Sequence, residues 1–291
     1  MTDARIRCAV RKLEGAGQGG SRGGVRERAL GLVLLPLSLI AYFNGIFLAF
    51  TGTYRRSEPA QTGATASFVV AWLLHLGAIG YEGFRIGAIP LATAGHYLLV
   101  LGFVVQSLYL AVSLRFRILQ AGLILPPLAS VMAFFALLLP AKEVRLTPVQ
   151  EKGSFGFHVG ISILGMAALC LAFAMAVTYI VQDHALKTKR APRVLERFPS
   201  LAASDRIGYL AVLWGFPLLT VGIATGQVVL WVRHGTFWMG GPKQIFPMLA
   251  WVVLAVLLYA RIVSGFRGRR SAYLTIVGFA LGLLTVFGMT R

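Results

Sequence analysis

The chain consists mainly of long apolar runs that are separated by short polar segments. Eight of these runs match a membrane-spanning helix, because about 20 apolar residues cross a hydrocarbon core of roughly 30 Å. A spanning β-barrel would instead show short segments of alternating polarity, which this sequence lacks. The pattern therefore predicts an all-α fold, a polytopic integral membrane helix bundle with about eight transmembrane helices. The predicted spans cover residues 30–53, 65–84, 91–114, 118–139, 157–181, 207–232, 245–263 and 272–289.

The composition agrees with a membrane protein. Apolar residues make up 57% of the chain and charged residues 13%, and a soluble domain of this length needs more charge to cover its surface. The two cysteines, Cys8 and Cys170, form no Cys-x-x-Cys pair, which disfavours thiol exchange and cysteine-based metal sites. The sequence also offers no motif for phosphate binding or for a nucleophile elbow.

The net charge of +18 lies mostly in short loops beside the apolar runs. Positive loops mark the cytoplasmic side of a membrane protein, and their simplest partners are anionic lipid headgroups rather than nucleic acid. The loops that follow the first, third, fifth and seventh spans carry this charge, so we place them inside. This orientation puts residues 142–157 and the loop around Trp238 outside.

The N-terminal segment conflicts with this orientation. Residues 1–29 are rich in Arg and Gly and are predicted to form a disordered tail, which precedes a transmembrane domain at residues 30–291. With eight spans, this basic tail would lie outside, against the usual rule. We therefore base the orientation on the connecting loops, whose charge bias is consistent.

The loop between the sixth and seventh spans has the most distinctive sequence. Residues 237–243 read Phe-Trp-Met-Gly-Gly-Pro-Lys, and Trp251 follows eight residues after Lys243. The stretch resembles the tryptophan-rich signature, Trp-x-Trp-Asp-Pro-Lys and then an apolar helix, of the cytochrome c assembly family of haem handlers (the CcsA, CcmC and CcmF type). Trp238, Pro242 and Lys243 match that signature. The resemblance extends over about residues 65–289 and is strongest in the C-terminal half.

The sequence also departs from the family signature. Gly240 and Gly241 replace its second Trp and its Asp, and Tyr259 stands where other members place an intramembrane histidine. A second external histidine of those members is absent before the sequence ends at Arg291. Both missing histidines are haem ligands in those members. With these departures the sequence resembles the HemX/YpjD-type branch of the family, which has eight spans and an incomplete set of haem ligands.

His75 lies near the middle of the second predicted span. An ionisable side chain at that depth is costly and usually points into the bundle or a cavity. One interpretation is a neutral imidazole that is hydrogen-bonded to a neighbouring helix. The other is an axial haem ligand, and the resemblance favours it because family members carry a histidine in a comparable span.

His158 opens the fifth predicted span, at its outer end. The resemblance implies that it is an external haem ligand beside the tryptophan-rich loop. By residue type alone, a polar anchor at the membrane interface explains it equally well. His96, at the start of the third span, is expected at the interface, and His184, in a basic inner loop, in solvent.

The loop residues themselves suit a flat porphyrin. Phe237 and Trp238 offer aromatic faces for stacking, and the neighbouring glycines allow a close approach of the backbone. Lys243 or Arg233 is a candidate partner for the haem propionates. His234 precedes the loop and is a weaker candidate for haem contact, since an exposed loop histidine is the more common case.

The resemblance implies a haem-binding membrane protein that supports cytochrome c biogenesis by delivering haem at the outer membrane face. We expect a chaperone-like component rather than an enzyme, with b-type, non-covalent haem. Its expected location is the cell inner (plasma) membrane, as a multi-pass protein, and its expected partners are other cytochrome c biogenesis subunits and apocytochrome c. The candidate iron ligands are His158 and His75, and the wider haem-binding set adds Trp238, His234 and Lys243.

Two other functions remain open from the sequence. The first is a HemX-like membrane scaffold or regulator of tetrapyrrole metabolism that binds no haem stably and works through the basic loop at residues 187–197. The second is a small-solute permease. The sequence shows no convincing repeat between its halves and few acidic residues near its spans, which disfavours an ion-coupled carrier.

Overall fold

The computed structural model describes residues 21–116, 123–139, 153–188 and 199–288. Within these ranges the chain forms eight helices and no strand. Six of the helices, α1 to α3 and α5 to α7, are long and apolar enough to cross a membrane. The predicted all-α, polytopic membrane helix bundle is thereby confirmed. The helices are α1 (Ser21–Arg55), α2 (Glu58–Ile86), α3 (Ala94–Phe116), α4 (Leu125–Leu138), α5 (Gly153–Lys187), α6 (Leu201–His234), α7 (Pro242–Val263) and α8 (Arg269–Gly288).

Most helices extend beyond their predicted spans, whereas α4 is shorter than its span. α4 has 14 residues and is therefore about 21 Å long, shorter than the hydrocarbon core of roughly 30 Å. Pro126 and Pro127 occupy its first turn, where the missing N–H of proline does no harm. α1 begins at Ser21, inside the segment predicted as a tail. Residues 1–20 of that tail, residues 118–122 of the fourth predicted span and residues 189–197 of the predicted basic loop lie outside the described residues.

α5 packs most closely on α6, because small residues face each other across this pair. A Cβ added at Gly222 would lie 2.7 Å from Ser162 Oγ, and one at Gly215 would lie 3.1 Å from Ala168 Cβ. Gly222 and Gly226 form a Gly-x-x-x-Gly pair, the spacing that lets membrane helices approach to backbone distance. The spacing of the glycines on α6 therefore allows the close contact between α5 and α6.

α6 ends sharply before the loop at residues 235–241. Gly235 follows the helix with a φ of 69° and donates its backbone N–H to the carbonyl oxygen of Trp231. This left-handed conformation suits glycine, which has no Cβ to clash. Pro242 then starts α7. The abrupt end of α6 and the prompt start of α7 hold the connecting loop close to the two helix ends.

At the opposite end of α6, Asp205 binds Arg261 of α7. The same guanidinium donates a hydrogen bond to Ser271 of α8. This ion pair and the loop at residues 235–241 therefore fix the α6–α7 pair at both ends. The remaining strong helix pairs are α1 with α2, α7 with α8, and α3 with α4.

Candidate functional site

A cleft opens where the C-terminal part of α6 and the start of α7 meet α5. Its cavity volume is about 240 Å³, slightly below the roughly 300–1,000 Å³ that is typical of small-molecule sites. Its walls are mainly apolar, with a few polar side chains. The polar side chains on its wall include His158, Gln227, Lys243 and Gln244. An apolar cleft with a small number of polar groups is the usual form of a ligand site.

His158 is held in one orientation and one tautomer. Its Nδ1 lies 2.9 Å from the carbonyl oxygen of Gly222 and 3.2 Å from Thr225 Oγ1. A carbonyl oxygen only accepts, so Nδ1 carries the proton and donates it. In the neutral ring the lone pair then resides on Nε2, which has no hydrogen-bond partner in the described part of the chain. A metal-binding histidine typically has this arrangement, with its second nitrogen donating to a backbone carbonyl.

The His158 ring fits against α6 only because residue 226 is glycine. A Cβ added at Gly226 would lie 2.8 Å from His158 Cε1 and 3.4 Å from both ring nitrogens. The ring would have to shift to accept it. Gly222 and Gly226 thus have two roles, since they bring α6 close to α5 and make room for the imidazole between the helices.

Gln244 ties the loop at residues 235–241 to the cleft. Its Oε1 accepts a hydrogen bond from Met239 N at 2.7 Å, and its Nε2 donates to the carbonyl oxygen of Phe237 at 2.9 Å. Nε2 also donates to Gln227 Oε1 on α6 at 2.9 Å. Gln244 and Gln227 were not among the site residues predicted from the sequence. The available signal was weak: two amide side chains that border apolar helices near a distinctive loop.

Trp238 lies beside the cleft rather than in its wall. Its side chain is 53% exposed, and its backbone N–H donates to Thr236 Oγ1. Next to it, Phe237 stacks on Trp231 with the ring centroids 5.8 Å apart and the planes 9° from parallel. These aromatic residues form an exposed apolar surface at the end of α6.

The structure brings two of the predicted site residues into one cleft, His158 and Lys243. His234 is exposed in the last turn of α6 and does not contribute to the cleft wall. His75 belongs to a different part of the bundle. It lies on α2 and contacts α1 and α3.

His75 is completely buried, and both of its ring nitrogens are hydrogen-bonded. Nε2 lies 2.9 Å from the carbonyl oxygen of Leu99, so Nε2 donates; Nδ1 lies 3.2 Å from Tyr42 Oη and accepts. This is the neutral, hydrogen-bonded imidazole of the first interpretation above. Ligation of iron by His75 stays a prediction, and it requires one of these two bonds to break.

Three further residues have a definite place in the structure. His96 is buried within the protein at the start of α3, and its Nε2 pairs with Glu82 Oε1 at 3.1 Å; its location at the membrane interface stays a prediction. Tyr259 is 68% exposed on α7, which fits a residue of the aromatic belt. Trp251 donates from Nε1 to Thr220 Oγ1 at 2.9 Å and so fastens α7 to α6.

Comparisons with known proteins identify relatives of this chain. CcsA of Guillardia theta, a cytochrome c biogenesis protein, is 26% identical over 276 residues, which cover 88% of this chain and 89% of the relative. CcsA of Synechococcus elongatus is 27% identical over 309 residues, which cover 90% of this chain and 93% of the relative. The similarity therefore extends over nearly the full length of both proteins.

A solved structure with the same fold is that of the cytochrome c heme lyase CcmF, with a TM-score of 0.65 and 20% sequence identity. The match covers 91% of this chain and 47% of CcmF, so this chain spans about half the length of that protein. The family model for the cytochrome c assembly protein matches residues 89–291, well over half of the chain. The chain therefore belongs to the cytochrome c assembly protein family.

Proposed function

We propose that this membrane protein binds haem in the cleft beside His158 and supports cytochrome c biogenesis by holding haem for delivery to apocytochrome c. The observation that carries the proposal is the state of the His158 imidazole. Its Nδ1 is engaged by the Gly222 carbonyl, which leaves the Nε2 lone pair for a metal ion. The names of the relatives, which are cytochrome c biogenesis proteins, support the same function.

The residues of the cleft fit a haem group. Haem has a flat apolar ring and two carboxylates, and the cleft offers an apolar wall with Lys243 on its border. Lys243 is exposed and is the proposed partner of a propionate, through a charge-assisted hydrogen bond. The aromatic surface of Phe237 and Trp238 offers a stacking face next to the cleft. The haem is cargo here, so we assign the protein no covalent step.

The proposed ligation is five-coordinate, with His158 as the protein's axial ligand. His158 lies on the wall of the cleft, and we infer that its imidazole holds the iron. His75 is proposed only as a second iron ligand, deeper in the membrane. It could bind iron only after its hydrogen bond to Tyr42 or to the Leu99 carbonyl has broken. His234, which is exposed, makes at most a peripheral contact.

The proposed location follows from the loop charges. With the basic loops on the cytoplasmic side, the His158 cleft lies at the outer face of the inner (plasma) membrane. An apocytochrome and other biogenesis subunits would reach it there. The aromatic surface of Trp231, Phe237 and Trp238 is the proposed contact for these partners, since exposed apolar patches mark interaction sites.

The test is the absorption spectrum of the full chain purified in mild detergent from haem-replete cells. We expect a Soret band that is lost in His158→Ala and restored when imidazole is added to that variant. His234→Ala is the matched control, because that histidine is exposed near the same loop, and it should keep the band. A colourless wild-type protein, or a His158→Ala variant with full absorbance, would reject the proposal.

A further inference from the structure

A second cleft lies at the other end of α6, far from His158. It has a volume of about 760 Å³ and lies between the start of α6, α5 and the link from α7 to α8. Arg206, which borders it, precedes Gly226 by 20 residues on α6, or about 30 Å along the helix. The two clefts therefore lie at opposite ends of the membrane-spanning part. Residues that border the second cleft include Asp205, Arg206, Tyr209, Arg261 and Arg267.

This second cleft has an excess of positive charge. Asp205 is neutralised by Arg261, whose guanidinium also lies 4.5 Å from the centre of the Tyr209 ring. Arg206 and Arg267 are exposed, and in the described ranges neither forms an ion pair. Two guanidinium groups thus remain for an anion. Guanidinium binds phosphate oxygens in a bidentate manner, which makes arginine the preferred partner for this group.

An apolar groove continues from the second cleft along the surface of the bundle. It has a volume of about 540 Å³ and lies between α3, α5 and α6. Leu210 contributes to the walls of both spaces. Further along the groove, Trp214 is 72% exposed.

The spacing on α6 places charge and apolar surface in one row. Arg206, Leu210 and Trp214 follow each other at intervals of four residues, so they share one face of the helix. From Arg206 to Trp214 this face extends about 12 Å along the axis. A ligand that fits both regions needs a negatively charged head and a long apolar chain. Such a molecule is a phospholipid of the surrounding membrane.

We propose that this protein has a specific binding site for one anionic phospholipid at the end of the bundle where the second cleft lies. The phosphate binds Arg206 and Arg267, and one acyl chain lies in the groove past Leu210 and Trp214. A zwitterionic headgroup matches the site less well, since its cationic part meets the two free arginines. Basic pockets between transmembrane helices on the cytoplasmic side commonly bind anionic headgroups.

The bound lipid would connect α6 with the link between α7 and α8. Arg206 belongs to α6, whereas Arg267 lies between Val263 and Arg269. A ligand that bridges them in the folded protein stabilises it by an amount that grows with the logarithm of the ligand concentration once this exceeds the Kd. The site is independent of haem, since it uses none of the residues of the His158 cleft.

The experiment is native mass spectrometry of the full chain, extracted in mild detergent and titrated with phosphatidylglycerol or phosphatidylcholine of identical acyl chains. We expect one phosphatidylglycerol retained at high collision energy and several-fold weaker retention of phosphatidylcholine. Arg206→Gln and Arg267→Gln should each weaken retention about fivefold, and the double variant about thirtyfold. Arg270→Gln is the matched control, because Arg270 is exposed near the same link and does not border the cleft.

Two further measurements distinguish the contribution of the lipid headgroup from that of the acyl chain. Inorganic phosphate at millimolar concentration should not displace the lipid, and a dihexanoyl phosphatidylglycerol should bind more weakly than the long-chain form. Equal retention of both lipid classes, an Arg270→Gln variant as weak as Arg206→Gln, or full displacement by phosphate would overturn the proposal. Arg206→Lys keeps the positive charge and serves as the control for misfolding. This variant should retain more lipid than Arg206→Gln.

Discussion

Arg261 and Asp205 form an ion pair that joins three helices at the basic end of the bundle. Nη1 of Arg261 donates to Asp205 Oδ1 at 3.0 Å and to Ser271 Oγ at 2.9 Å, and Nη2 donates to Oδ2 and to the carbonyl oxygen of Asp205. The backbone N–H of Gly268 donates to the same carboxylate at 3.4 Å. Because the Arg261 side chain is only 9% exposed, either charge would be poorly solvated without the other.

Removing one member of this pair should destabilise the protein strongly. Asp205→Ala leaves the Arg261 guanidinium without its counter-ion, and we expect a loss of about 3 kcal/mol in the free energy of unfolding. Circular dichroism during titration with SDS in mixed micelles measures it. Asp183→Ala is the control, since its partner Lys187 is 63% exposed, and an exposed pair contributes less than about 1 kcal/mol. Equal losses in the two variants would contradict this account.

Adding a methyl group at Gly226 should weaken haem binding. In Gly226→Ala the new Cβ meets His158 Cε1, and a ring pushed off its rotamer costs about 0.5–1.5 kcal/mol. That is up to roughly tenfold in affinity. Haem content per chain, measured as the pyridine haemochrome, reports the change. Gly160→Ala, where the added Cβ meets nothing within 4 Å, should keep its haem; if both variants lose it alike, the steric explanation is wrong.

Gln244 should control the order of the loop at residues 235–241. Gln244→Ala removes the hydrogen bonds to Met239 N, to the Phe237 carbonyl and to Gln227, each worth about 1 kcal/mol. We expect faster proteolytic cleavage in the loop and weaker haem retention. Gln182→Ala removes a single hydrogen bond to the Pro199 carbonyl at the other end of α6 and should leave loop cleavage unchanged. A loop equally resistant in Gln244→Ala would rule out this role.

Tyr42 provides a test of the two interpretations of His75. Tyr42→Phe removes the hydroxyl that donates to His75 Nδ1 and should lower the free energy of unfolding by about 1 kcal/mol. If His75 serves packing only, the Soret band of the purified protein stays the same. A band that rises or shifts in Tyr42→Phe would instead mean that the freed Nδ1 binds iron. Tyr54→Phe, at an exposed position, is the control for the loss of a hydroxyl.

Most of the fold was predictable, because membrane helices carry their signal in composition. Each apolar run produced a helix, since backbone groups in hydrocarbon must bond within their own segment. The extent of α4 was not predictable in this way. Residues 118–139 read as one apolar run, but the helix begins at Leu125, followed by Pro126 and Pro127. Hydropathy is insensitive to proline in the first turn, so it misjudges where such a helix starts.

The candidate site was predictable only in part. His158 and Lys243 stand next to recognisable patterns in the sequence, and the structure places both at one cleft. The Gly-x-x-x-Gly spacing indicates close helix packing at Gly226, but its contact with His158, like the contacts of Gln244, joins different helices and has no local pattern. Hydrogen bonding of His75 to a neighbouring helix was one of its two interpretations, whereas its partners on α1 and α3 could not be identified from the sequence. Tertiary packing decided these three positions.

Pro247 lies inside α7 and borders the His158 cleft. Its position affects how a bulky planar ligand would enter the cleft. A proline nitrogen has no hydrogen to offer the carbonyl four residues earlier, which here belongs to Lys243. The opening turn of α7 is thus tethered by fewer backbone bonds than the rest of that helix. We therefore expect the α7 side of the cleft to yield more readily to such a ligand than the close, glycine-mediated contact between α5 and α6 behind His158.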